Sequence, residues 1–293
     1  MKICVIGYGT VGKAIVAGLD KSDELDYDIV DPAYEEYNQD LKEVMESCDS
    51  AIICVPTPQG DDEGHLDDDQ VLDIVETIGH EKPILIKSTI SISSCIFFEN
   101  CHRNVCFSPE FLRAETAVED FLSETKLIIG GDIDQAQGWA NVFGLCQPIK
   151  DEAFIDIVEA GIVKHAENAF LAMRVTFFNE IYKLVQHLGT PDTSGIKRKE
   201  IREPWMHEGV TVISGTVGRM PMELDYDSIV YALGLDDRIG HSHNQVPGPD
   251  GKFGWGGHCL PKDVDSLLAF AKDYGTAMPL IDSVVQINKV HRR

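Results

Sequence analysis

Short apolar runs and amphipathic stretches alternate along the first half of the chain. An apolar run at Lys2–Ile6 precedes a helical pattern that ends at Leu19, and a second helical pattern covers Val71–Ile78. Further strands are predicted at Tyr27–Asp31, Ser50–Val55, Pro83–Ile86, Asn104–Phe107 and Lys126–Ile129. Strands that alternate with helices in this way predict an α/β fold with a doubly wound sheet.

The pattern changes in the second half of the chain, where helices replace strands. One unusually long helix is predicted from about Ile155 to near Leu188, with Gly189 as its stop signal. A further helix is predicted at Pro279–Val290. We therefore predict two domains, an α/β domain over residues 1–150 and an α-helical domain over residues 151–293.

Composition narrows the possible partners and the compartment. The 293 residues include 25 Lys and Arg against 49 Asp and Glu, and the net charge of −24 disfavours binding to nucleic acid and to anionic membranes. The eight cysteines form no paired framework, and Met1 leads into an apolar strand without a signal-peptide pattern. We expect a reducing, cytoplasmic compartment.

Two groups of cysteines and histidines are interpreted without a metal ion. Cys95, Cys101, His102 and Cys106 lack the paired C-x₂-C spacing that is typical of structural zinc sites. They are assigned to the packing of strands and helices. The segment His241–His243 lacks a nearby set of further ligands and is assigned to a solvated loop.

The segment Gly7–Gly12 follows the first strand directly and leads into the first helix. Its G-x-G-x-x-G spacing permits a tight turn, close approach of a pyrophosphate to the backbone, and close packing of helix against strand. Asp31 ends the next strand about 20 residues beyond Gly12, where an acid can bind the adenosine ribose. Pro32 and Ala33 follow it, where an arginine would favour a 2′-phosphate. The pattern predicts a Rossmann domain that binds NAD, and the glycines alone are also compatible with a simple turn.

Polar residues follow several predicted strands at the ends where a doubly wound sheet binds ligands. The segments concerned are Val55–Pro58, Lys87–Thr89 and Ser108–Arg113. We expect them to face one crevice with the cofactor, which makes their Thr and Glu residues candidates for the site. Taken singly, each residue of this kind is more often a helix cap or a turn residue.

Cys259 lies in the glycine-rich segment Phe253–Asp263, next to His258 and close to Lys262. A free thiol ionises near pH ~8.5, so a nucleophilic cysteine needs polar or positive neighbours and partial exposure. Flexible and charged neighbours of this kind are atypical of a buried core strand. We therefore predict that Cys259 is a nucleophile and that the other seven cysteines are structural.

Lys164 and Asn168 lie four residues apart in the predicted long helix and so share one face. Their neighbours are mostly apolar, which is unusual for a lysine. Such a lysine could stabilise an oxyanion or take part in proton transfer, or its stem could pack while its ammonium group reaches water. The spacing leaves both interpretations open.

An ordered series of motifs resembles the UDP-glucose and GDP-mannose dehydrogenases, which oxidise the C6 alcohol of a nucleotide sugar to a carboxylate with two NAD. The series comprises the Gly7 fingerprint, Val55–Pro58, Lys87–Thr89, Pro109–Arg113, Lys164 with Asn168–Leu171, Asn179–Glu180, Asp237–Gly240 and the Cys259 segment. The resemblance implies this four-electron activity, with UDP-glucose as the expected substrate, and a place in polysaccharide biosynthesis.

The resemblance also implies how the catalytic residues act. Cys259 would form a thiohemiacetal with the aldehyde and then a thioester. Glu110 would activate the hydrolytic water, which Thr89 would hold. Lys164 and Asn168 would steady the oxyanion.

The remaining residues implied by the resemblance bind ligands or move protons. Asp263 would orient water or share in proton removal, and Arg238 would bind substrate across the interface of a homodimer formed by the long helix and the carboxyl-terminal helix. The expected cofactor contacts are Gly7, Tyr8, Gly9, Thr10, Val11, Gly12, Asp31, Val55, Pro56, Thr57 and Thr89. The expected substrate contacts are Phe111, Leu112, Arg113, Lys164, Asn168, Arg238, Gly254, Gly256 and Gly257.

Several features depart from the family pattern. Full-length members continue into a third, nucleotide-binding domain, so this chain is expected to be a short form. Ala114 stands where a second glutamate is common, and Trp255 replaces the usual Phe or Tyr. Residues 190–222 look like an insertion, either a replacement clamp for the substrate diphosphate or a solvated loop. Its cations are Lys197, Arg198, Lys199, Arg202 and Arg219.

Two other functions are compatible with the predicted fold. A two-electron hydroxy-acid dehydrogenase could share the sheet and a lysine on the long helix, but a single hydride transfer does not require the thiol of Cys259. A non-catalytic NAD-binding homologue is compatible with Ala114 and the short chain, but the nucleophile and the acid and base residues are all present.

Overall fold

The computed structural model describes residues 1–60, 63–189 and 224–293. The chain forms two compact units. The first unit contains Met1–Ala172 and Gly256–Ser283, and the second contains Met173–Trp255 and Val284–Arg293. The predicted domain boundary at residue 150 stays a prediction.

A seven-stranded sheet forms the centre of the first unit, in the order β2-β1-β3-β4-β5-β6-β7. Its strands are β1 (Lys2–Ile6), β2 (Asp26–Val30), β3 (Ser50–Ile53), β4 (Ile84–Ile86), β5 (Val105–Phe107), β6 (Lys126–Gly130) and β7 (Asp151–Ile155). The first five strands are parallel, and β6 and β7 are parallel to each other. A single antiparallel pair, Phe107 with Gly130, joins β5 to β6. The predicted α/β fold is confirmed.

Ten α-helices surround or follow these strands within the described residues. They are α1 (Thr10–Leu19), α2 (Leu41–Ser47), α3 (Asp69–Ile78), α4 (Ile92–Cys101), α5 (Ala117–Ser123), α6 (Ile133–Cys146), α7 (Ile157–Gly189), α8 (Tyr226–Gly234), α9 (Cys259–Asp273) and α10 (Pro279–His291). The 33 residues of α7 confirm the predicted long helix. Side chains cap several of the helices; Asp40, for example, accepts the first free N–H groups of α2.

Both faces of the sheet are buried, which explains why its strands are continuous apolar runs. Along β1, Ile3 and Val5 belong to one hydrophobic cluster, with side chains of α1, α5 and α6. Cys4 and Ile6 belong to a second cluster, with side chains of α2, α3 and α4. Successive side chains of a strand point to opposite faces, so one run of apolar residues supplies both layers of the core.

The second unit has its own apolar cluster, to which Phe178 and Val185 of α7 and Tyr226 and Val230 of α8 contribute. The hydroxyl group of Tyr226 donates to the carbonyl oxygen of Asn244 at 2.6 Å. The helices of the unit are thus fixed by packing and by hydrogen bonds to loop backbone.

Cys95 and Cys106 lie in the core of the first unit, whereas Cys101 and Cys259 are exposed. Burial of Cys95 and Cys106 is consistent with the structural role expected for them, whereas the exposure of Cys101 differs from the packing role assigned to it. Among the described residues, no three His, Cys, Asp or Glu side chains are arranged to hold a metal ion. Nor does any helix in the described part of the chain have the length and apolarity of a membrane span.

Candidate active site

The turn between β1 and α1 depends on glycines for steric reasons. Gly7 adopts φ +94°, and a methyl group on it would lie 2.8 Å from the carbonyl atoms of Cys54. A methyl group on Gly12 would lie 2.0 Å from the carbonyl oxygen of Gly7. At Gly9, by contrast, a methyl group would meet nothing within 4 Å, so the backbone before α1 is open to a ligand. Free N–H groups and the helix dipole make this position suitable for a pyrophosphate.

Asp31 is fixed beside this turn by backbone hydrogen bonds. Its Oδ2 atom accepts from the N–H of Tyr8 at 2.6 Å, and its Oδ1 atom accepts from the N–H of Ala33 at 2.8 Å. The carboxylate keeps lone pairs for a ribose. A cavity of about 430 Å³ lies alongside, lined in part by Gly7, Asp31, Val55 and Pro56.

The cavity beside Asp31 suits an adenosine without a 2′-phosphate. None of the described residues that line it is a lysine or an arginine, and the carboxylate of Asp31 would repel a phosphate. The open backbone at Gly9 leaves space for the pyrophosphate. The side chains and the turn therefore fit NAD. Thr57 is buried four residues after β3, and Thr89 is half-buried three residues after β4.

Tyr8, an expected cofactor contact, lies in a cluster with Tyr34, Tyr37 and Lys13, which the sequence did not indicate. The ring of Tyr8 packs edge-on against the rings of Tyr34 and Tyr37, with centroids 5.5 and 5.1 Å away. The ammonium group of Lys13 lies 5.5 Å from the centroid of Tyr8. No sequence spacing indicates this cluster, because it depends on the loop after β2.

The thiol of Cys259 lies at the first residue of α9, and Cys259 is exposed to solvent. A position at a helix N-terminus favours a thiolate. However, the protein around the sulfur is dense enough that desolvation raises the pKa of the thiol. Lys164 and, more weakly, Lys262 oppose this rise in pKa, while Asp263 and Glu110 add to it.

Of the flanking charges expected to act on the thiol, Lys262 lowers its pKa and Asp263 raises it. The ammonium group of Lys262 lies 2.6 Å from Oδ1 of Asp263, so much of its charge is compensated by that carboxylate. Lys164, which is distant in sequence, has the larger favourable effect on Cys259.

Asp263 is fully buried one turn after Cys259 in α9. In addition to its contact with Lys262, its Oδ2 atom accepts a hydrogen bond from the side-chain amide of Asn168 at 2.5 Å. Asn168 is itself only 7% exposed. A buried carboxylate needs such partners, and the bond joins α9 to the face of α7 that carries Lys164.

Lys164 is buried, so its ammonium group does not reach water as one of the two interpretations left open by the sequence requires. Its side chain is 5% exposed, and its ammonium group lies 3.6 Å from Oε1 of Glu110 and donates to the carbonyl oxygen of the same residue. It also lies 5.1 Å from the ring centroid of Phe111. Oε2 of Glu110 accepts from the N–H of Leu112 at 2.8 Å. The lysine and the carboxylate fix each other's positions.

Lys87 is a second buried lysine, and sequence analysis gave it no role. Its ammonium group donates to Oγ of Ser108 at 3.1 Å and, more weakly, to the carbonyl oxygen of Pro109 at 3.5 Å. Burial lowers the pKa of Lys87 to about 8, opposed chiefly by the charge of Glu110. The sequence feature that could have drawn attention to Lys87 is its position as a cation directly after the apolar strand Ile84–Ile86.

The structure thus brings Cys259, Lys164, Asn168, Glu110 and Asp263 together in the first unit. Phe111 and Leu112 adjoin this group, and the glycines Gly256 and Gly257 precede it in sequence.

Other predicted substrate residues are engaged elsewhere. Arg113 pairs with Asp120, with Nη2 and Oδ1 2.6 Å apart. In the second unit, Arg238 pairs with Asp236 at 2.5 Å, and the N–H of Gly254 donates to Asn179 at 2.9 Å. The basic segment predicted at 190–222 lies outside the described residues.

A mostly parallel sheet with a glycine turn after β1 and an acid after β2 defines a Rossmann nucleotide-binding protein. Models of two domains of the UDP-glucose/GDP-mannose dehydrogenase family match the chain, the NAD binding domain over residues 23–143 and the central domain over residues 219–290. Because these stretches cover more than half of the chain, the chain belongs to the UDP-glucose/GDP-mannose dehydrogenase family, and its cofactor is NAD.

Individual relatives agree with this assignment. The chain is 28% identical over 330 residues to the UDP-glucose 6-dehydrogenase of Campylobacter jejuni, covering 100% of this chain and 73% of that protein. Further UDP-glucose 6-dehydrogenases are matched over about half of their own length.

Two solved structures share the fold. A UDP-glucose dehydrogenase from Pyrobaculum islandicum superposes with a TM-score of 0.74 at 22% identity, over 99% of this chain and 68% of that one. The 3-hydroxyisobutyrate dehydrogenase of Mycobacterium tuberculosis gives a TM-score of 0.68 at 15% identity, over 99% of this chain and 94% of that one.

Proposed function

We propose that the chain oxidises the C6 alcohol of a nucleotide sugar to a carboxylate in two NAD-dependent steps, with Cys259 as the nucleophile. The observation that carries this proposal is the exposed thiol at the start of α9, close enough to Lys164, Asp263 and Glu110 for their charges to act on it. An enzyme that carries out only a two-electron oxidation does not need such a thiol.

In the first oxidation, a base must remove the proton of the C6 hydroxyl group. NAD, when bound at the Gly7–Gly12 turn, supplies the hydride acceptor for each of the two oxidations. The carboxylate of Asp263 is proposed to take this proton, because it is buried close enough to Cys259 to act on its thiol. The ammonium group of Lys164 would then stabilise negative charge on the oxygen.

In the second stage, the sulfur of Cys259 would bond to the aldehyde carbon to form a thiohemiacetal, which oxidation converts to a thioester. Glu110 would take a proton from water as the water oxygen adds to the thioester carbon and the C–S bond breaks. Its carboxylate is oriented for this by the N–H of Leu112 and by Lys164. Asn168 would hold Asp263 in place, because its amide donates to that carboxylate.

UDP-glucose is the proposed substrate, since the curated relatives named above are UDP-glucose 6-dehydrogenases. Phe111, Leu112, Gly256 and Gly257 adjoin the catalytic group and are proposed to line the sugar. Roles in substrate binding for Arg113, Arg238 and Gly254 remain proposals, as does the basic clamp at 190–222.

The test is the amount of NADH formed per sugar at completion. UDP-glucose, UDP-N-acetylglucosamine and GDP-mannose are each supplied as the limiting reactant, to wild type and to Cys259→Ser. We expect two NADH per UDP-glucose from the wild type and loss of this yield in the variant. A yield of two NADH that survives in Cys259→Ser would exclude the covalent mechanism.

A second candidate is two-electron oxidation of a small hydroxy acid. The observation in its favour is the match to 94% of the length of a 3-hydroxyisobutyrate dehydrogenase. One NADH per molecule of 3-hydroxyisobutyrate, unaffected by Cys259→Ser, would establish this candidate. NAD binding without turnover of any of these compounds would favour a non-catalytic homologue.

A further inference from the structure

A cavity of about 280 Å³ lies against Glu110 in the first unit. One part of its wall is deeply buried and includes Lys87 and Ser108, which are 6% and 0% exposed. Another part includes Lys126 and Glu167, which are exposed to solvent. Phe111 and Leu112, which are proposed to line the sugar, also line this cavity, so one continuous space joins the proposed base, at the edge of the sugar site, to the surface.

The cavity has the size and the polar groups to hold water. A water molecule occupies about 30 Å³ in the liquid, so several can fit. Possible hydrogen-bond partners occur along the whole cavity, with Glu110, Lys87 and Ser108 at the inner end and Glu124, Lys126 and Glu167 at the outer end. Of the three N–H groups of Lys87, two already donate to Ser108 and Pro109, which leaves one for a water molecule.

Charged groups from several elements face the two ends of this cavity. Around Lys87 they are Glu110 after β5, Lys164 of α7 and Glu124 before β6. Around Glu167 of α7 they are Lys164, Lys126, Glu124 and Glu110, and partial desolvation raises the pKa of the Glu167 carboxyl. The wall carries both carboxylates and ammonium groups, and groups of either sign bind water.

We propose that this cavity is the passage by which water reaches Glu110 while the cofactor and the sugar occupy the active site. The inference rests on the proposed function. Conversion of the alcohol with two NAD consumes one water and yields the carboxylate, two NADH and three protons. The oxygen of that water ends in the product, so each turnover requires a fresh molecule next to Glu110 while the nucleotides cover the ends of the strands.

The experiment compares Glu167→Trp, which occludes the outer end, with Glu167→Gln, which keeps the side-chain size. The position is exposed, so both variants are expected to fold, as a thermal melt and NAD binding would confirm. In stopped-flow mixing with UDP-glucose, we expect Glu167→Trp to form its first two NADH at the wild-type rate. Subsequent turnover should be at least tenfold slower, and rapid-quench mass spectrometry should show thioester on Cys259. Glu167→Gln should resemble the wild type.

If Glu167→Trp is unstable, a second variant that blocks the cavity from β6 provides the same test. Lys126→Trp on β6 should slow the same step, while Lys126→Met should not. Wild-type turnover in both Trp variants, or equal slowing in Glu167→Gln, would overturn the passage and leave the proposed function intact. Absence of NADH from the wild type would overturn the proposed function and the passage with it.

Discussion

Two glycines of one turn differ in what a side chain would meet. At Gly12, a methyl group would overlap the carbonyl oxygen of Gly7, whereas at Gly9 it would point into open space. We expect Gly12→Ala to destabilise the fold by about 1–3 kcal/mol, the usual range for overpacking. Gly9→Ala should leave the melting temperature unchanged and weaken NAD binding about tenfold, because its methyl group occupies the place of the pyrophosphate.

Thermal melts and calorimetric NAD titration of the two variants separate these effects. Gly9→Ala with the affinity of the wild type for NAD would contradict the placement of the pyrophosphate at this turn. A melting temperature for Gly12→Ala equal to that of Gly9→Ala would contradict the steric argument.

For single residues, the sequence predicts position on a helix or strand but not burial or contacts with distant residues. The spacing of Lys164 and Asn168 placed them on one face of a helix, but only the fold shows that the lysine is buried against Glu110 and that the amide is bonded to Asp263. Lys87 was named only within the segment Lys87–Thr89, because the sequence does not show that its ammonium group is buried. Lys262 lowers the pKa of Cys259 as its position in the sequence suggests, but Lys164, which is distant in sequence, lowers that pKa more.

Packing between α7 and α4 depends on a glycine in the first turns of α7. A methyl group on Gly161 would lie 2.6 Å from Sγ of Cys95, which is fully buried in α4. We expect Gly161→Ala to destabilise the protein by about 1–2 kcal/mol, since overpacking outweighs the gain in helix propensity of about 0.5–1 kcal/mol. Urea denaturation measures the loss of unfolding free energy.

A double-mutant cycle checks the cause. In the background Cys95→Ala, which makes room for the methyl group, Gly161→Ala should be neutral or stabilising. An equal loss of stability in both backgrounds would show that the contact with Cys95 is not responsible.

Helices and strands whose apolar pattern extends over their whole length were predicted correctly from the sequence. β1 and α7 were found because each repeats its pattern over its whole length. β7 was missed because Asp151 and Glu152 begin it, its first three residues are exposed, and it lies at the edge of the sheet. An edge strand with one partner lacks the continuous apolar run that reveals a central strand.

At the scale of the whole molecule, the exposed apolar residues of α7 predict association. Ile162, Phe170, Phe177 and Leu184 are 46–55% exposed and recur at seven or eight residues, which places them along one stripe. We predict a homodimer through this stripe. Sedimentation velocity should give twice the chain mass for the wild type and the mass of one chain for Phe170→Glu combined with Phe177→Glu.

A matched control is Gln186→Glu, which adds a charge on another side of the same helix. It should leave the mass of the dimer unchanged. A wild type that sediments as a single chain would refute the predicted homodimer, as would a dimer that persists in the double variant.

The single antiparallel pair between β5 and β6 has a consequence for how the sheet is assembled. β6 and β7 pair with each other over five residues. By contrast, Phe107 and Gly130 are the single residue pair that joins these two strands to the other five in the sheet. Cohesion across this joint must therefore come from side chains such as those of Phe121 and Phe143, which pack in one cluster with β1 and β3. The sheet therefore consists of two groups of strands that are held together by apolar side chains more than by a shared ladder of backbone hydrogen bonds.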